Sequence, residues 1–154
     1  MEDIATGAMG LPFPVHPDAM RAAGPEFLTK ALRAYGALPA DNAVVAVRSA
    51  VPFEGGNSGD KLVLSVRYRT SAPDLPEALF VKFSRCRADP FRDRRRFEFD
   101  GEVKLAGLSR HPAFPVAVAR PMFADFDLDS GSGVLISACI AYGEQGIQPA
   151  RVKN

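Results

Sequence analysis

The sequence predicts an α+β domain, built as a five-stranded antiparallel sheet with one helix packed on it and another helix ahead of it. Residues 44–84 carry three β-rich runs joined by a glycine-rich loop and a turn-rich connection, the pattern of antiparallel hairpins. Residues 91–108 then place apolar side chains at helical spacing. Two further β-rich runs follow, at 116–124 and 134–140.

Each element can be justified in turn. Residues 1–16 are small, proline-rich and without period, and read as a loose leader. His16-Pro17-Asp18 opens a helical pattern in which Met20, Phe27, Leu28, Ala31, Leu32 and Tyr35 form one apolar stripe. Gly24-Pro25 interrupts it, so the prediction is a short first turn and then a helix from Glu26 to Tyr35, stopped at Gly36. The first strand runs from Val44 to Phe53 and the second from Leu62 to Thr70. In the second strand Leu62, Leu64, Val66 and Tyr68 alternate with Lys61, Ser65, Arg67 and Arg69, which gives it one buried face. After the turn-rich 71–76, Ala78 to Ser84 is the third strand. Asp89-Pro90 signals a helix start, Phe91 to Leu108 the helix, and His111-Pro112 its end. Val116 to Ala124 is the fourth strand, 125–133 an acidic turn, and Val134 to Ile140 the fifth strand. The domain is therefore expected over 17–141, with 142–154 a polar linker.

Bulk properties narrow the class. A chain of 154 residues with 47% hydrophobic and 24% charged content is long enough for one globular domain with its own core. A formal net charge of +1 gives no general attraction to nucleic acid or acidic membranes. Cys86 and Cys139 lack metal-ligand spacing and are expected to be reduced core thiols. The acidic N-terminus carries no signal-peptide pattern, and the longest apolar run, Gly133 to Tyr142, is about half the ~20 residues that cross a bilayer. A cytoplasmic protein without a membrane span is expected.

The chemistry-bearing stretch lies between Pro52 and Ser84. Gly55, Gly56 and Gly59, with Asn57 and Ser58 between them, form a loop whose backbone can approach a ligand closely and turn N–H groups toward phosphate oxygens. The same run also suits a plain hairpin connection. A Walker-type P-loop is excluded, because no Gly-Lys-Ser/Thr follows and no helix opens there. Lys82 interrupts the apolar run Leu79-Phe80-Val81-Lys82-Phe83, and a lysine in such a strand calls for an anionic partner. Ser58 and Ser65 lack the strained elbow of a nucleophilic hydrolase, and His16 and His111 flank prolines at helix ends, where caps are expected. Asp125, Asp127 and Asp129 alternate like metal ligands but lack the glycine and distal glutamate of a calcium loop, which leaves a solvated turn. Arg85, Arg87, Arg92, Arg94, Arg95 and Arg96, interleaved with Phe91 and Phe97, could form a nucleic-acid patch, although Asp89 and Asp93 dilute its charge.

The order of elements, the Gly-Gly-Asn-Ser-Gly loop, Leu-Phe-Val-Lys-Phe, Phe-Glu-Phe-Asp-Gly-Glu-Val-Lys-Leu-Ala-Gly-Leu, Pro-Val-Ala-Val-Ala-Arg-Pro and Ser-Gly-Val-Leu-Ile together resemble the N-terminal lobe of the aminoglycoside and choline-kinase-like phosphotransferases over residues 17–148. The resemblance implies a kinase-like lobe that binds ATP with Mg²⁺. Lys82 would contact the α- and β-phosphates, and Glu102 would brace it, with Glu98 the alternative one turn earlier. Gly55, Gly56, Asn57, Ser58 and Gly59 would close over the phosphates, and the backbone at Ala138, Cys139 and Ile140 would hinge against adenine. The family's catalytic and metal-binding aspartates lie in a second, helical lobe, whereas this sequence ends at Asn154. The expectation is thus a nucleotide lobe that is catalytically incompetent alone and phosphorylates a small-molecule hydroxyl only with a catalytic lobe. It would pair with a separate C-terminal lobe or self-associate. A truncated lobe serving as a protein-interaction or regulatory module shares the same residues and remains the alternative.

Overall fold

The computed structural model describes residues 3–56 and 58–141. In chain order the elements are β1 (Ile4–Thr6), β2 (Pro12–Pro14), α1 (Pro17–Ala34), β3 (Val44–Pro52), β4 (Lys61–Tyr68), β5 (Ala78–Phe83), α2 (Arg92–Arg95), α3 (Glu98–Ser109), β6 (Pro121–Phe126) and β7 (Gly133–Ala138). The fold is α+β. A five-stranded antiparallel sheet has the order β3-β4-β5-β7-β6, and β1 and β2 form a separate two-stranded sheet.

Strict alternation gives the sheet two different faces. Leu62, Leu64, Val66 and Tyr68 of β4 are at most 3% exposed, while Lys61, Val63 and Ser65 are half-buried. The register carries this pattern sideways: Leu62 pairs with Val81, Val81 with Ile136, and Ile136 with Phe123, all buried. Cross-strand partners share a face, so these residues form one continuous apolar layer. Helix α1 covers it with Met20, Leu28, Ala31 and Leu32, and Phe27 and Tyr35 meet the Phe123 ring edge-on at 5.8 and 6.0 Å. Fully burying a Met, Leu or Phe side chain in this layer stabilises the fold by about 1.5–3 kcal/mol. His16 caps α1 by accepting the Ala19 N–H, and Gly24, at φ 55°, breaks the helix before Pro25. Helix α3 lies on the opposite face, against β6 and β7.

The structure corrects several expectations. Residues 1–16 are not a loose leader over the described part: β1 and β2 pair as a hairpin, and Phe13 is wholly buried in the common core. Asp125 of β6 anchors the hairpin turn, accepting the Met9 N–H at 3.2 Å. Asp125 is therefore a buried strand residue rather than part of a solvated turn. The helix expected over 91–108 is two pieces that break at Arg96-Phe97. Arg92 and Arg96, near that break, reach across to carbonyls of the 128–130 turn. The strand expected from Val116 starts at Pro121, because the ladder with β7 begins at Pro121–Ser137, and Val116 and Val118 are left exposed. Cys86 is exposed and Cys139 half-buried, so neither is a core thiol; each lies just past a strand end, outside the packed layers.

Candidate functional site

The face covered by α3 carries the charged constellation. Lys61 sits directly opposite Lys82, and Lys82 opposite Leu135, so the three side chains share that face. Lys82 Nζ donates to both carboxylate oxygens of Glu102 at 2.7 Å each, with the side chains 18% and 37% exposed. Helix α3 reaches this position because Phe99, one turn before Glu102, packs on Gly133: a Cβ there would lie 2.5 Å from the ring. Lys82 Nζ also stands 5.9 Å from the Phe99 ring centroid. Glu98 is exposed on the same helix and pairs instead with Arg95, at 3.4 Å.

The glycine loop is pinned against this pair. Gly59 has φ 65° and packs so tightly on the Phe83 carbonyl that a Cβ would lie 1.9 Å from its oxygen. The Phe83 N–H donates to the Asp60 carbonyl at 2.9 Å, which fastens the loop end to β5. Ser58 lines a small cavity of ≈20 Å³ together with Phe83, Ser84 and Glu102, which puts the end of the loop beside the carboxylate of the pair. Gly55 and Gly56 also hold positive φ, whereas Asn57 lies outside the described residues.

Lys61 is the site residue that sequence reasoning missed. Its Nζ donates to the carbonyls of Ser58 and Gly59 at 3.1 and 2.9 Å. Burial, and then the neighbouring Lys82 charge, hold its pKa below the ordinary lysine value. Only the strand register reveals that it faces Lys82. Two ammonium groups thus face each other, and Glu102 is engaged by Lys82 through both oxygens. The Asp60 and Glu102 carboxylates do not offset the burial and the Lys82 charge acting on Lys61, an arrangement suited to a polyanion.

Beside the charges lies a half-buried apolar surface. Val63 and Phe80 are partly covered, and Phe53 meets Phe80 edge-on at 5.4 Å. A hollow of ≈200 Å³ continues from Glu102 along Leu105, Val118, Leu135 and Ser137. Of the expected hinge, the Ala138 N–H is committed to the Arg120 carbonyl and the Cys139 N–H to that of Ala78, at 2.8 and 2.9 Å. Ile140 follows at the exposed end of the strand. A larger hollow of ≈510 Å³ adjoins the ≈200 Å³ one, sharing Ser109, Val118 and Pro121, and is lined further by Tyr35, Arg110, His111 and Arg120 but by none of the sequence-derived site residues.

The remaining sequence candidates take structural places. Arg85 pairs with Asp89 at 2.8 Å, Arg92 bonds the Ser130 carbonyl, and Arg96 bonds those of Leu128 and Asp129. Two of the six arginines, Arg92 and Arg96, thus latch the α2 region to the β6–β7 turn. Asp127 caps that turn through the N–H groups of Asp129 and Ser130 and does not converge with Asp125. Among the described residues no group of three or more His, Cys, Asp or Glu side chains is placed to hold a metal. Among the same residues no helix is long and apolar enough to cross a membrane. Comparison of the chain with protein-family models, with curated proteins and with solved structures finds no match.

Proposed function

We propose that this domain binds ATP as the nucleotide lobe of a small-molecule kinase resembling the aminoglycoside phosphotransferases. The observation that carries the reading is the two-pronged Lys82–Glu102 pair beside a glycine loop, on a half-buried strand face. Lys82 would contact the α- and β-phosphates while Glu102 holds its ammonium in place. Backbone groups of Gly55, Gly56, Ser58 and Gly59 would close over the phosphates, and the base would lie along Val63 and Phe80 toward Ala138, Cys139 and Ile140. With the Ala138 and Cys139 N–H groups committed to strand bonds, an adenine edge would rely on Ile140 and the carbonyls. Mg²⁺ has no ligand cluster among the described residues, so the reading covers nucleotide binding here. γ-Phosphate transfer to a small-molecule hydroxyl belongs to a catalytic lobe.

Calorimetric titration of the folded chain with ATP·Mg²⁺, beside its Lys82→Ala variant, tests this. Loss of one charge-assisted contact should weaken binding by about tenfold or more. A folded wild-type chain that binds no nucleotide, or a variant that binds equally well, overturns the reading. In that event the interaction-module alternative leads, favoured by Leu105, Leu108, Val116 and Val118, which stand 46–64% exposed.

A further inference from the structure

We infer that Lys61 is a second phosphate-binding residue, held by the glycine loop in the free protein, and that the ligand is a nucleoside di- or triphosphate rather than a monophosphate. The inference rests on the nucleotide reading of the same site and extends it to a residue that reading does not use.

The argument starts from charge. Like charges directly opposite each other on a sheet are destabilising, yet Lys61 and Lys82 occupy opposed positions on a half-buried face. Glu102 compensates Lys82 with both oxygens. Lys61 donates to the neutral carbonyls of Ser58 and Gly59; the Asp60 and Glu102 carboxylates act favourably on it, but burial and the Lys82 charge prevail and hold its pKa down. An anion between the two ammonium groups would remove both penalties.

The opposed positions leave room for an anion of more than one phosphate. Opposed positions put the two side-chain stems about 4.5–5.5 Å apart at Cβ, so the two ammonium groups can engage adjacent phosphates of one chain. In the proposed placement Lys82 takes one phosphate and Lys61 the next, so a single phosphate would leave Lys61 on the loop. The carbonyls that Lys61 now occupies belong to Ser58 and Gly59, next to the ≈20 Å³ cavity that Ser58 shares with Glu102. Release of Lys61 toward a phosphate would therefore free the loop carbonyls as the ligand arrives, coupling loop position to occupancy.

The test compares adenosine, AMP, ADP, ATP and tripolyphosphate by calorimetry on the wild-type chain and on Lys61→Gln and Lys61→Arg. The wild-type chain should hold ADP at least about tenfold more tightly than AMP, one further charge-assisted contact. Lys61→Gln should weaken ADP, ATP and tripolyphosphate by about tenfold or more and leave AMP and adenosine nearly unchanged. Lys61→Arg keeps the charge and should retain most of the affinity, which guards against a Gln variant that fails to fold. Lys61→Gln binding every ligand like wild type overturns the inference and leaves the nucleotide reading standing, whereas equal wild-type affinity for AMP and ADP overturns the inference and also the β-phosphate contact given to Lys82. A uniform loss across all ligands also overturns it, because Lys61 then only staples the loop. No binding of any ligand to the folded wild-type chain overturns the inference together with the reading beneath it.

Discussion

Gly59 has no room for a side chain, since the Phe83 carbonyl oxygen lies where a Cβ would stand, and its φ of 65° already disfavours one. Gly59→Ala should therefore displace the loop from β5 and cost about 1–3 kcal/mol, read as a lowered midpoint in denaturant unfolding. An unchanged midpoint would mean that the loop does not pack there. Tyr68 gives a pH prediction. Its hydroxyl donates to the Pro76 carbonyl at 2.8 Å, and burial pushes its pKa up to about 12 from 10.0. Because the folded value lies above the unfolded one, this contribution is fully present below pH 10.0 and lost as pH rises toward about 12. Stability should fall over that alkaline window in the wild-type chain and fall less in Tyr68→Phe, followed by unfolding at several pH values. At this scale Lys82 was legible, because a lysine inside an apolar strand run is conspicuous from its neighbours alone. Lys61 was not, because it opens β4 among polar neighbours and only its place across from Lys82 marks it.

Among the elements, the β1–β2 hairpin departs most from the sequence reading. Strands of three residues, one of them Pro12-Phe13-Pro14, offer no alternation to detect. The hairpin exists because Phe13 is wholly buried and Asp125 accepts backbone N–H groups from its turn. Burial pushes the Asp125 carboxyl upward while those N–H groups pull it down, and burial prevails. Phe13→Ala should cost about 3–5 kcal/mol in denaturant unfolding, the magnitude of a core truncation. A change within about 0.5 kcal/mol would show the hairpin to be an appendage. Helix α3 depends on the absence of a side chain at Gly133, which lets Phe99 approach the sheet and brings Glu102 to Lys82.

Over the whole molecule, one face is closed by α1 and the hairpin, while the face with the candidate site remains partly open. Leu105 and Leu108 of α3 are 49% and 64% exposed, and Val116 and Val118 stand 61% and 46% exposed in the segment leading to β6. Apolar surface of this kind favours association. Sedimentation of the chain should show concentration-dependent self-association, and a Leu105→Glu, Leu108→Glu pair should shift it toward monomer without lowering the unfolding midpoint. A monodisperse monomer at all concentrations would show that this surface is not a contact face.

The sequence by itself determined the α+β class, the alternation that makes β4 one-sided, the break at Gly24-Pro25, and the prominence of the glycine loop and of Lys82. These depend on periods and neighbours within a few residues, which a chain carries locally. Only the tertiary structure decided which strands adjoin, where β6 begins, that the first residues join the core, and that Lys61 faces Lys82. Those depend on partners well separated in sequence, such as Asp125 with Met9 or Gly133 with Phe99. Their energies exist only once the layers have packed, and no local pattern encodes them.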